Sequence, residues 1–194
     1  MKEFNIITEN ISFISGWYIQ ESICDGVVDF FNEENYFPVK RGISSSNMVN
    51  SKIKNSYDKT ISTLTTDKRL LSYFETLSEV MDCYKEKFEW CNMTQEWKIV
   101  EHVNIQHYPP LGGYKIFHCE RNGKLSTIDR HLVFMTYLND VTDRGETEFY
   151  YQKLKVKPEK GLTLIWPVDW THTHRGVASP TQEKTIITGW YKFV

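Results

Sequence analysis

WKIVEHVNIQHYPPLGGYKIFHCER, residues 97–121, is where the texture of the chain changes. Before it, apolar residues recur at helical spacing. From here they come in short runs rich in β-branched and aromatic types, broken by turn residues. RHLVFMTYLND (130–140), GETEFYYQ (145–152), GLTLIWP (161–167) and KTIITGWYKF (184–193) continue the pattern. PPLGG, NGK, TDRG, KPEKG and ASPTQ punctuate it. Many short strands with such turns predict an antiparallel two-sheet or closed β core, such as a jelly roll.

Upstream, FNIITENISFISGWYI reads as one or two short strands and ESICDGVVDFFNEEN as a helix weakened by Gly26. Residues 36–65 read as irregular and polar, a loop that could close over a site. Residues 66–91 form the strongest helix, capped by Asp67, with Leu70, Leu71, Phe74, Leu77, Val80, Met81, Tyr84 and Phe88 on its apolar face. No linker divides the chain. The expectation is one α+β, mainly β domain over 1–194: a helical support region (1–98) and a β core (99–194).

The 194 residues include 40% hydrophobic and 25% charged types, ordinary for a globular chain. Aromatics reach 14%, which fits a β-heavy core or an aromatic cleft. The net charge is -2 with no charge run, so neither nucleic acid nor an anionic membrane is implied as a partner. No apolar stretch approaches a membrane span, and the N-terminus lacks the pattern of a signal peptide. Cys24, Cys83, Cys91 and Cys119 fit no zinc or disulfide framework, which predicts reduced thiols and a cytoplasmic setting. Oligomeric state is not legible.

In FHCER, His118 and Glu120 stand two apart. On a strand they project from one face, Cys119 from the other into the core. Two histidines and one carboxylate make the facial triad of non-haem Fe(II) oxygenases, with open positions for a keto acid and dioxygen. The third ligand has to come from WTHTHRGVASPTQEK (170–184), which offers His172 and His174, on one face if the strand is regular. Lys184 begins the next strand. A buried ammonium is the group needed by the far carboxylate of 2-oxoglutarate. His102, His107 and His131 read as packed or surface residues.

These residues together resemble the prolyl 4-hydroxylase-like branch of the 2-oxoglutarate/Fe(II) dioxygenases. That family has a double-stranded β-helix fold (jelly roll, cupin-like). It carries a His-x-Asp pair, a distal His and a basic residue beyond it. The resemblance implies His118, Glu120 and His174 as metal ligands and catalytic residues, because His174 stands ten residues before Lys184. It leaves His172 as a fallback ligand. It implies cosubstrate contacts from Lys184, Tyr108, Thr147 in GETEF and Tyr137, the last facing the pocket. Arg130, near the mouth, and Trp190 would meet the substrate. Fe(II), 2-oxoglutarate and O2, with ascorbate as a possible reductant, are the implied cofactors.

Two positions depart from the family. Glu120 replaces Asp, and Lys115 stands where its prolyl hydroxylases usually have Tyr. The implied activity is hydroxylation of a C–H bond, of a prolyl residue in a peptide or protein by resemblance. A free amino acid, another small molecule or a nucleobase is the competing substrate. A non-catalytic binding module is the alternative from another class, disfavoured by the intact triad.

Overall fold

The computed structural model describes residues 1–6, 12–34, 37–43 and 48–194. The chain begins with β1 (Lys2–Glu3), β2 (Ser15–Tyr18) and α1 (Glu21–Asn32). Then come β3 (Val39–Arg41), β4 (Lys54–Asn55), β5 (Tyr57–Ile61) and α2 (Lys68–Lys87). After a 3-10 turn at Glu89–Asn92 follow β6 (Trp97–Lys98), β7 (Val103–Tyr108), β8 (Gly113–Tyr114) and β9 (Arg130–Tyr137). The last strands are β10 (Thr147–Phe149), β11 (Leu154–Val156), β12 (Leu162–Pro167), β13 (His174–Gly176) and β14 (Lys184–Phe193).

Nine strands form the major sheet, in the order β1-β2-β12-β9-β14-β7-β5-β3 with β6 beside β14. Every pairing is antiparallel. A three-stranded minor sheet, β11-β10-β13, and a β4-β8 pair complete the strands. This is the double-stranded β-helix expected from the sequence.

The central strands are buried on both faces, which is why they read as continuous apolar runs. Leu132 and Phe134 of β9, Ile165 of β12 and Ile187 of β14 face outward and pack under the helices. Their neighbours Val133, Met135, Tyr137, Leu164, Trp166 and Ile186 face inward. α1 covers the outer face with Cys24, Val27, Phe30 and Phe31, and α2 with Leu70, Tyr73, Leu77, Val80, Met81 and Tyr84. The Asp67 side chain caps α2 by accepting from the Arg69 amide at 2.9 Å. The apolar stripe was misjudged by one residue. Leu71 is exposed, while Tyr73 is buried with its hydroxyl 2.9 Å from that of Thr136 on β9.

Residues 36–65 are not simply irregular. Within the described part, β3, β4 and β5 extend the sheets. They are short and polar, with too few residues to show period-two alternation. α2 stops at Lys87, and a 3-10 turn completes the predicted 66–91 helix. Residues 7–11 of the first predicted strand lie outside the described residues.

Candidate metal and cosubstrate site

A cavity of about 730 Å³ opens between the two sheets. Val133, Met135, Trp166 and Ile186 give it an apolar floor. His118, Glu120 and His174 stand together on one side, their ligand atoms within 4.8 Å of one another. FHCER is not a regular strand. His118 makes an isolated bridge with His174, exchanging two backbone hydrogen bonds of 2.9 Å. The amides of Glu120 and Arg121 both donate to the Val168 carbonyl. The pair still converges, because that bridge lays it against β13. Cys119 consequently lies half-buried on the cavity wall rather than in the core.

The chemistry of the donors is more telling than their proximity. His118 Nδ1 lies 3.0 Å from the Ile116 carbonyl and His174 Nδ1 lies 2.9 Å from that of His172. A carbonyl only accepts, so each Nδ1 carries the proton and each neutral ring presents a lone pair at Nε2. Both Nε2 atoms lie 3.4 Å from the same Glu120 oxygen, Oε1. Three lone pairs therefore face one point. Burial raises the Glu120 carboxyl, but hydrogen bonds and charge from the two imidazoles in their protonated form outweigh it and hold it well below the usual range, so with no metal bound any proton in the cluster sits on a ring and Glu120 stays a carboxylate. Burial, then the His118 ring, lowers His174. A divalent cation fits this set, as three protein ligands with further positions open.

The rings are held. Tyr114 stacks on His118 at 3.8 Å, and Trp166 and Phe149 pack against His174 at 5.1 and 5.6 Å. Tyr114 also lines the cavity, whereas the Lys115 ammonium turns outward to the Ser51 carbonyl. An aromatic thus lines the cavity beside His118 despite the shifted sequence position.

Trp190 and Arg130 line the cavity, but both are engaged with Glu120. Trp190 Nε1 donates to Glu120 Oε2 at 3.0 Å. Arg130 stacks over the Trp190 ring at 3.6 Å and donates to the Glu120 carbonyl at 3.1 Å. Its other nitrogens form a fork with Glu101 at 2.7 and 3.0 Å. These contacts occupy Oε2 and leave Oε1 facing the histidines, so the longer carboxylate is held in one pose.

His172 belongs to a 3-10 turn at Trp170–His172, not to the strand of His174. Its Nε2 reaches the Ser12 carbonyl at 2.7 Å and its Nδ1 the Thr171 hydroxyl at 3.0 Å. Both nitrogens are committed away from the triad.

Lys184 enters from β14, opposite Tyr108 of β7. It is 5% exposed, and its Nζ donates to the carbonyls of Gly145 at 2.6 Å and Val177 at 3.4 Å. Among the described residues no carboxylate pairs with it. Burial lowers its pKa from 10.5 to about 8, against the opposing pull of Glu146. Gly145 aims its carbonyl at the ammonium from φ +82°, where a Cβ would also stand 2.8 Å from Val141 Cγ1.

Thr147 and Tyr108 line the cavity beside Lys184. Tyr137 does not line it; its hydroxyl donates to Thr147 Oγ1 at 2.6 Å from behind. β9 has run below the floor by that residue, and Thr147 of the minor sheet stands between. Gln106, which accepts from the Tyr108 hydroxyl at 2.6 Å, was missed. Its position two before Tyr108, on the same strand face, was the available signal. Glu101 carried no such signal. His102 is exposed, His107 bonds Thr185 and His131 bonds the Cys91 carbonyl, all outside the triad.

Residues 103–192 match the model of the 2OG-Fe(II) oxygenase superfamily, whose cofactors are Fe(II), 2-oxoglutarate and O2. No curated protein matches the sequence significantly. Solved structures with similar folds include the viral collagen prolyl hydroxylase of Paramecium Bursaria Chlorella virus-1 in its 2OG complex. It is 18% identical with a TM-score of 0.70, over 94% of this chain and 97% of that one. A Pseudomonas putida prolyl-4-hydroxylase is 14% identical with a TM-score of 0.69, over 93% of each chain. A Trichoplax adhaerens prolyl hydroxylase, in complex with a hypoxia inducible factor oxygen degradation domain peptide, is 17% identical. Its TM-score is 0.72, over 95% of this chain and 85% of that one. This chain therefore carries, over residues 103–192, a match to the 2OG-Fe(II) oxygenase superfamily. Its fold is that of the prolyl 4-hydroxylases.

Proposed function

We propose that this oxygenase hydroxylates a prolyl residue within a peptide or protein, with residues 1–194 acting as one domain. The observation that carries the reading is the presence of two complementary ligand-binding groups in one cavity. Three lone pairs converge at one side, and a buried ammonium with no carboxylate paired to it among the described residues stands at the other. An Fe(II) ion and a dicarboxylate keto acid answer both. The prolyl substrate is supported by the three similar folds described above, each a prolyl hydroxylase and one holding a peptide. Tyr114 on the substrate side supports it further.

In this reading His118, Glu120 and His174 hold the iron. When bound, iron with 2-oxoglutarate and O2 supplies the oxidising power that replaces a C–H hydrogen by hydroxyl. The residues of the chain do the rest. Trp190 and Arg130 fix Glu120 through Oε2 and its carbonyl, in addition to any contact with substrate. Lys184 pairs with the far carboxylate of the cosubstrate. Thr147 already accepts from Tyr137, so its own proton is left to donate into the cavity. Tyr108 reaches the same carboxylate by turning its hydroxyl proton from Gln106. The apolar floor keeps water from the reacting carbon.

Ascorbate would serve as an external reductant that keeps the metal ferrous. The four free thiols support a reducing, cytoplasmic setting. The test is mass spectrometry of proline-containing peptides after incubation with Fe(II), 2-oxoglutarate and O2. The reading requires one oxygen gained on proline with matching succinate. Oxygen gained only on free amino acids or other small molecules would refute the prolyl substrate.

A further inference from the structure

We propose that the mouth of the cavity is a recognition surface for an acidic peptide segment, so that the hydroxylated residue is flanked by Asp or Glu. The substrate class rests on the prolyl-peptide reading; the surface itself is tested by binding.

The major sheet does not stop at the cavity. β7, β5 and β3 carry it outward, and opposed residues share a face. Ile186 stands opposite Gln106, Gln106 opposite Asp58, and Asp58 opposite Lys40. One row further, Thr188 faces Asn104 and Asn104 faces Thr60. All of these line the cavity. The wall thus turns from apolar at Ile186 to wholly polar beyond it. An apolar peptide flank laid there would desolvate these groups without partnering them.

The charge on that wall is positive. Asp58 is neutralised, with Oδ2 2.6 Å from Lys54 Nζ and Oδ1 2.7 Å from Ser56 Oγ. Thr60 donates to Asn104 at 2.7 Å. Lys40 and Arg41 on β3 have no carboxylate partner among the described residues. Arg41 lies 4.7 Å over the Tyr57 ring and gives one hydrogen bond, to Asn55 at 2.9 Å. Its remaining donors form a fork suited to a carboxylate. On the opposite lip, Lys124 lies among Asn122, Ser126 and Thr127. The two acids that line the cavity are committed: Glu120 to the triad and Asp58 to Lys54.

This local positive charge sits on a chain of net charge -2, so it is not a general excess of base. The lip at Lys40 and Arg41 is cationic, and carboxylates spaced along an extended segment complement it. β3 is also the last strand of the sheet among the described residues, where an extended segment can align. A nucleic-acid strand, the other polyanion, is disfavoured because the cations further in are engaged, Lys54 with Asp58 and Arg130 with Glu101, and leave no continuous track.

The experiment uses protein loaded anaerobically with Fe(II) and 2-oxoglutarate, so that nothing turns over. Fluorescence anisotropy follows proline-centred peptides bearing an uncharged dye and flanked by Glu, Gln or Lys, with oligothymidylate as a competitor. The Glu-flanked peptide should bind on the order of tenfold tighter than its Gln isostere, and the margin should shrink with salt. In the double variant Lys40→Glu, Arg41→Glu the preference should pass to the Lys-flanked peptide. A misfolded protein cannot show that gain. Equal binding of the Glu and Gln peptides would overturn the proposal. So would no peptide binding, an unchanged preference in the variant, or tighter binding of oligothymidylate. Tight binding of the Glu peptide without hydroxylation under O2 would refute the prolyl reading and leave the surface standing. Loss of the Glu preference with proline still hydroxylated would do the reverse.

Discussion

Replacing Lys184 by Met should weaken 2-oxoglutarate binding and stabilise the ligand-free protein at once. The ammonium is buried against two carbonyls and the Tyr108 ring, with no carboxylate paired to it among the described residues. Its folded pKa is about 8, against an ordinary 10.5. Below pH 8 it is charged in both the folded and unfolded states, and burying that charge costs the fold on the order of 3 kcal/mol. Between pH 8 and 10.5 the unfolded state binds the extra proton, so the cost fades as pH rises. Met keeps the volume and removes the charge, so ligand-free Lys184→Met should melt higher than the parent at pH 7 by a few degrees, less what the lost hydrogen bonds return. The far carboxylate of 2-oxoglutarate then loses its only proposed cation. Breaking a buried pair costs roughly 3 to 5 kcal/mol, a rise in Kd of about a hundredfold to a few thousandfold. Anaerobic calorimetry with the metal present measures the second effect and thermal denaturation the first. In the parent, affinity should also fall as pH rises through about 8, where the ligand-free ammonium loses its proton. Unchanged 2-oxoglutarate affinity in Lys184→Met would refute the reasoning.

His174→Ala should abolish high-affinity metal binding, whereas His172→Ala should retain it and lose only the stability of its bonds to Ser12 and Thr171, read by metal titration and melting. Trp190→Phe removes the donor to Glu120 Oε2 and should weaken metal affinity about 10- to 100-fold without unfolding the chain. Glu120→Asp draws the carboxylate back by a methylene from both Trp190 and the imidazoles, so its metal affinity should fall too; an equal or tighter value would show that Oε2 is not held as described. Tyr73→Phe should cost about 1 kcal/mol in chemical denaturation and leave metal affinity unchanged.

The β core and the cluster of His118, Glu120 and His174 were legible because their signals are local. Val133, Met135 and Tyr137 alternate with Leu132, Phe134 and Thr136, and the buried runs of β9, β12 and β14 are long. His118, Glu120, His174 and Lys184 could be picked out by order and spacing. What escaped depends on cross-chain geometry. The irregular segment at 116–120 converges only because His118 bridges His174. His172 and His174 part because a 3-10 turn ends between them. The engagement of Arg130 with Glu101, and of Trp190 with Glu120, joins residues far apart in sequence. β3 was invisible because three residues carry no period, and β5 because its five residues are polar between Tyr57 and Ile61; with them went the cationic lip at Lys40 and Arg41.

The most direct measurement is an anaerobic titration of the protein with Fe(II) and 2-oxoglutarate followed by visible absorption. A weak metal-to-ligand charge-transfer band should appear in the parent and in His172→Ala, and be absent in His118→Ala and His174→Ala. No band in the folded parent, or an equal band in His174→Ala, would contradict the account.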